Sequence, residues 1–137
     1  MFQAKVYKIC IASAGVPMRE ERLALDVVSQ WNILHGEEHG VVFLPVAQDV
    51  KPDIYLFVID NYMDVNKVDT AMATGANVVL FFSAYHDSKN TIDRDLAVIE
   101  DYRKGVEKKC VCIDYKSISN FENQVFAILE NLSFDVN

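Results

Sequence analysis

The stretch that decides the fold runs from residue 41 to residue 59. It reads Val41-Val42-Phe43-Leu44-Pro45-Val46, then Ala47-Gln48-Asp49-Val50-Lys51-Pro52-Asp53, then Ile54-Tyr55-Leu56-Phe57-Val58-Ile59. The outer two pieces are short, continuously apolar and rich in β-branched and aromatic residues, the pattern of strands buried on both faces. Only seven residues, Ala47–Asp53, lie between them. A crossover between parallel strands ordinarily takes a dozen or more residues and a helix. Seven extended residues reach about 23 Å, and returning along a six-residue strand alone uses about 20 Å. Either an extended strap replaces the helix, or the second strand is short, displaced or antiparallel.

Working outward, strand and helix patterns alternate. Val6–Ala12 reads as a strand, and Arg19–His35 carries Leu23, Ala24, Val27, Val28, Trp31 and Leu34 on one helical stripe that ends at Gly36. Beyond the central stretch, Asp64–Thr74 is a short helix with Val65, Val68 and Met72 inward, closed by Gly75 before a strand at Val78–Phe82. Tyr85–Asn90 is a polar loop. A longer helix from Thr91 turns Ile92, Leu96, Ile99 and Val106 inward, Cys110–Ile113 is a fifth strand, and the last helix opens on the capping box Ser119-Asn120-Phe121-Glu122. That helix has a stripe of Phe121, Val125, Ile128 and Leu132. Five short apolar strands interleaved with amphipathic helices predict a single α/β domain over residues 1–137. Its expected form is a three-layer, flavodoxin-like sandwich around a mainly parallel five-stranded sheet of order 2-1-3-4-5, without the helix between strands 2 and 3.

Composition narrows the function. Of 137 residues 51% are hydrophobic and 24% charged, with five Gly and three Pro, which excludes a disordered or low-complexity chain. Twenty acidic against thirteen basic side chains give a net charge of −7, which disfavours nucleic acid and anionic membranes as partners. No apolar run approaches the roughly 18 residues of a membrane helix, and residues 1–12 show no cleavable signal pattern, so a soluble cytoplasmic protein is expected. The three cysteines, Cys10, Cys110 and Cys112, lie inside apolar runs and read as buried thiols in a reducing compartment.

In such sheets ligands bind beyond the carboxyl ends of the strands, near the switch point between the first and third. Ser13-Ala14-Gly15, Asp60-Asn61-Tyr62, Ser83, Tyr85, His86 and Asp114-Tyr115-Lys116 fall there. The Ser13–Gly15 turn into a helix offers backbone N–H groups to an anion. The surrounding Asp60, Asp64, Asp69, Asp87 and Asp114 would repel a bare phosphate. Glu20-Glu21-Arg22 reads as a solvated first helical turn with its acids on the positive end of the helix dipole. His35, His39 and His86 are scattered, with Gly36 ending the helix between the first two, so no metal site and no cofactor is expected. Asp60, Ser83 and Lys116 invite comparison with a response-regulator receiver. Ala12-Ser13-Ala14-Gly15 lacks the acidic pair that would hold a receiver's magnesium.

A fuller match covers most of the chain. Ile11-Ala12-Ser13-Ala14-Gly15, Glu20-Glu21-Arg22-Leu23-Ala24-Leu25, Trp31-Asn32, His35-Gly36 and Gly40–Val46 together resemble the amino-terminal half of the bacterial TIR-like (Toll/interleukin-receptor-like) domains. That family shows an "A-S-P-G-D-V…E-E-R" opening, a "W-N…H-G" helix end and a "G-V-x-L-x-P" second strand. Asp69–Gly75 followed by Val78–Ser83 is similar to its acidic helix, "A-x-x-G-K-P" turn and fourth strand. The resemblance implies the same flavodoxin-like fold. It also implies a relation to domains that bind or cleave NAD-type nucleotides or assemble with their own kind, often in prokaryotic defence or signalling.

The departures from the family bear on catalysis. The connection between strands 2 and 3 shrinks to Ala47–Asp53, and the loop after strand 3 to Asp60–Asp64. The glutamate expected four residues before Ala71 is Lys67, while Asp69 keeps a neighbouring acidic position. That glutamate would accept from ribose hydroxyls and stabilise oxocarbenium-like charge, which a lysine would repel. The expectation is a degenerate module that acts by protein association or by binding a nucleotide or nucleoside. The alternative is an N-glycosidase on an NAD-type nucleotide, or a nucleoside deoxyribosyltransferase-like enzyme, using Asp69 or Asp64. Ser13, Gly15, Asp60 and Tyr62 are the expected ligand-binding residues. A sheet face near strands 1 and 3, stripped of its helix, is the expected homodimer surface.

Overall fold

A computed structural model describes residues 1–13, 19–59, 65–83 and 93–134. In chain order it contains β1 (Lys5–Ser13), α1 (Arg19–His39), β2 (Val41–Pro45), a single 3-10 turn (Gln48–Val50), β3 (Ile54–Ile59), α2 (Val65–Ala73), β4 (Asn77–Ser83), α3 (Asp93–Val106), β5 (Val111–Tyr115) and α4 (Ile118–Phe134). The strands form one sheet in the order β2-β1-β3-β4-β5, and every neighbouring pair is parallel.

The short connection is solved by displacement. Ile9 pairs with Pro45, the last residue of β2, and on its other side with Ile54, the first residue of β3. β2 therefore ends at the level where β3 begins, and the chain has no strand length to retrace. It only steps sideways over β1, two strand spacings or about 10 Å. The strap is pinned to β1 at both ends. Val46 N–H donates to the Ile9 carbonyl (2.9 Å), Asp53 N–H donates to the Lys8 carbonyl (2.8 Å), and Lys8 N–H donates to Asp53 Oδ2 (2.9 Å). Lys51, in the left-handed region at φ 56°, turns the chain out of the 3-10 turn.

Alternation along the strands sends side chains to two faces. One face, with Ile9, Val41, Phe43, Ile54, Leu56, Val58, Val79, Phe81 and Tyr115, packs under Ala24, Val27, Val28 and Trp31 of α1 and Phe121, Val125, Ile128 and Leu129 of α4. The other, with Cys10, Tyr55, Phe57, Ile59, Val78, Leu80 and Phe82, packs under Val68 and Ala71 of α2 and Val106 of α3. Two helices do not cover five strands on this second side. Val6 and Leu44 remain 55% and 48% exposed, and Val50 of the strap 46%. The bare patch lies on β2 and the first half of β1. It does not reach β3, which is buried at all six positions, so the expectation of exposure near strands 1 and 3 is corrected to strands 1 and 2.

Two helix boundaries also differ from the sequence reading. α1 does not stop at Gly36 but continues one turn to His39, and Gly40 with φ 65° ends it. Gly36 is buried within the helix because a Cβ there would stand 3.0 Å from the Val41 carbonyl oxygen. α4 is capped by Ser117 rather than Ser119, its Oγ accepting from Asn120 N–H (3.1 Å), while Asn120 Oδ1 reaches back to Lys116 N–H (2.8 Å). The outer edge of β2 is closed by Asn32 of α1. Its amide accepts from Phe43 N–H (2.9 Å) and donates to the Phe43 carbonyl (2.8 Å), occupying the groups a further strand would use.

Candidate functional site

The carboxyl edge of the sheet is organised by the first turn of α1, which is not solvated as its sequence suggests. Glu20 is 6% exposed, and its Oε2 accepts from the hydroxyl of Tyr115 at the end of β5 (3.0 Å). Glu21 Oε1 accepts from both the N–H (3.0 Å) and the hydroxyl of Ser13 at the end of β1. The correction has a physical cause: both acids have hydroxyl or amide donors to replace water, and both stand on the positive end of a 21-residue helix. Burial raises the Cys10 thiol above its ordinary pKa, and the Glu21 carboxylate raises it further. At the other side of the edge, Arg103 of α3 donates from its two terminal guanidinium nitrogens to the two carboxylate oxygens of Asp114 and lies 4.9 Å over the Phe82 ring.

Of the residues expected to bind or react, Ser13 and Asp69 lie within the described chain, whereas Gly15, Asp60, Tyr62 and Asp64 lie outside the described residues. Ser13 is 3% exposed and joined to α1, over the first face of the sheet. Asp69 is exposed on α2, over the second face, and its Oδ1 accepts from the Tyr102 hydroxyl of α3 (3.0 Å). Burial first, and then this hydrogen bond, pushes the Tyr102 hydroxyl above its ordinary pKa. The two residues are thus held on opposite sides of the sheet. Lys67 is half-buried on α2.

Among the described residues, a cavity of about 1030 Å³ opens at the amino edge of the sheet. Its wall includes Asp69, Met72 and Asn77 on one side and Lys108, Lys109 and Cys110 on the other. It mixes apolar surface with two cations and one anion, and it is large enough for a small molecule. Burial, with Cys112 beside it, pushes the Cys110 thiol up to about 11, so the thiol is protonated at neutral pH. Cys10 is buried, while Cys110 and Cys112 are only half-buried.

His35 and His39 are not scattered, while His86 lies outside the described residues. Because α1 runs through Gly36, His35 and His39 stand one turn apart on the same helix. Trp31, a further turn back and fully buried, stacks on His39 and donates from Nε1 to Glu130 Oε1 of α4 (2.7 Å). The helix-ending glycine signal concealed the pair, and no local pattern announces that Glu130, 99 residues from Trp31, joins it.

No family model and no curated protein matches the chain. A crystal structure of S. aureus homoserine dehydrogenase at pH 7.0 superposes on 82% of this chain and 33% of that one, with a TM-score of 0.48 and 11% identity. This chain thus spans about a third of that enzyme's length, and the likeness carries no statement about activity.

Proposed function

We propose that the chain is a non-catalytic, TIR-like module that works by association, forming a homodimer through the bare face of β1 and β2. The observation that carries this reading is the exposure of the apolar Val6, Leu44 and Val50 beside a sheet whose central strand β3 is buried at every position. Asn32 occupies the edge of β2, so the partner meets the face rather than extending the sheet. Binding of a nucleotide or nucleoside near Ser13, and a place in prokaryotic defence or signalling, follow from the same family resemblance. The glycosidase alternative gains nothing from Asp69, which is engaged by Tyr102 on the side of the sheet away from Ser13.

Sedimentation from low to high micromolar concentration tests the proposal. The wild-type chain dimerises and Leu44→Glu remains monomeric, whereas a wild-type monomer at high micromolar concentration overturns the reading. Incubation with NAD releases no nicotinamide. Turnover that disappears in Asp69→Ala would establish the alternative.

A further inference from the structure

The carboxyl-terminal ends of α1 and α4 meet over the first face of the sheet, and their side chains converge on a small space of mixed nitrogen and oxygen donors. His35, His39 and Glu130 each place one ligand atom within 4.8 Å of the other two, and all three residues are half-buried. His39 Nε2 stands 3.7 Å from Glu130 Oε2. These separations are too long for hydrogen bonds. The edge of a tetrahedron around zinc, with zinc–nitrogen distances near 2.0–2.1 Å, is about 3.3 Å, so the three side chains reach it by closing at most about 1.5 Å.

The surroundings hold the donors in place. Glu130 Oε1 is taken by the Trp31 indole N–H at 2.7 Å, which leaves Oε2 as the oxygen beside His39. A ligating carboxylate fixed by a hydrogen bond on its other oxygen is the usual support around a metal. His39 lies between Trp31, with ring centroids 5.6 Å apart, and the edge of Phe134 at 5.3 Å, while His35 meets Phe126 at 5.4 Å. Aromatic walls restrict both imidazoles. Glu38, the other group facing His35 at 3.9 Å, has a 76% exposed side chain and can turn to solvent.

We propose that His35, His39 and Glu130 form a site for a divalent transition metal of the zinc class. Two imidazoles and one carboxylate select zinc, cobalt or nickel over magnesium and calcium, which take oxygen ligands. Two histidines four residues apart on a helix present their rings to one ion, and the carboxylate of a second helix supplies the third ligand. Three protein ligands leave a coordination position for water. The bound ion ties the end of α1 to the end of α4.

The metal-free 137-residue chain is titrated with Zn²⁺ against a chromophoric chelator, and Co²⁺ serves as a spectroscopic probe. The expected result is one ion per chain and a melting temperature that rises with free zinc. Cobalt should show visible bands of a four- or five-coordinate site without thiolate charge transfer. His35→Ala and Glu130→Gln each weaken zinc binding by at least about tenfold, and the glutamine keeps an acceptor for Trp31. Their metal-free melts match the metal-free parent, and His35→Ala, at the more exposed position, carries the test if Glu130→Gln does not fold. Cys110→Ser combined with Cys112→Ser leaves binding unchanged, and Mg²⁺ does not compete. Absence of a bound ion, unchanged affinity in both ligand variants, or a thiolate band that vanishes with the cysteines overturns the proposal.

Discussion

The two ends of α1 use charge in opposite ways. At its start, Glu20 and Glu21 are each met at hydrogen-bond distance, by Tyr115 and by Ser13, and the contacts stitch the helix to the ends of β5 and β1. At its finish, two imidazoles and a carboxylate gather at 3.7 to 4.8 Å without closing on one another, inside walls of Trp31, Phe126 and Phe134. A buried carboxylate whose oxygens are satisfied by hydroxyls is a structural contact, because any incoming ligand must first displace a partner already in place. A half-buried cluster spaced wider than hydrogen bonds has room for an ion. Titratable groups in a fold are therefore sorted by the distances between them before their chemistry is considered.

Trp31→Ala breaks this contrast most severely. The side chain is fully buried, contacts Phe43 at 5.0 Å between ring centroids, and orients Glu130. Its loss lowers unfolding free energy by about 3–5 kcal/mol in urea denaturation, and Trp31→Phe, which keeps most of the volume, loses roughly 1–2 kcal/mol through the missing donor. At the other end, Tyr115→Phe leaves the Glu20 carboxylate buried without its hydroxyl and costs about 1–3 kcal/mol. A change of only a few tenths in the same titration would show that the first turn is held by other contacts. Gly36→Ala separates packing from propensity. Alanine favours a helix interior by about 1 kcal/mol, yet here its methyl meets the Val41 carbonyl at 3.0 Å, so the variant melts below the parent. The smallest effect is electrostatic. Glu21→Gln removes the lesser cause of the raised Cys10 pKa, so more thiolate forms at mildly alkaline pH and alkylation of Cys10 speeds up by a modest factor. Because that pKa lies above the ordinary thiol value, its contribution to stability is present below that value and fades as pH rises through the raised one.

The order of elements was readable because each strand is a short apolar run and each helix carries an apolar stripe, although Leu34, read as part of the α1 stripe, is 65% exposed. Apolar runs such as Ile54–Ile59 and Val78–Phe82 already require a sheet covered on both faces, and the seven residues of Ala47–Asp53 already exclude a covering helix there. How the chain manages without that helix was decided only by register. Pairing Ile9 with both Pro45 and Ile54 is a property of three strands together, and no window along the sequence contains it. The same holds for function-bearing side chains. Glycine at position 36 looks like a helix stop in sequence and is a close-packing residue in space, because the stop depends on φ at Gly40 and the packing on the Val41 carbonyl. Glu20 finds Tyr115 across 95 positions and Trp31 finds Glu130 across 99. Local sequence determines which residues lie on a stripe or a strand. Which charges become neighbours is set by how α1 and α4 lie across the same sheet face, since burial removes water from a polar group and only the folded chain supplies the partner that replaces it.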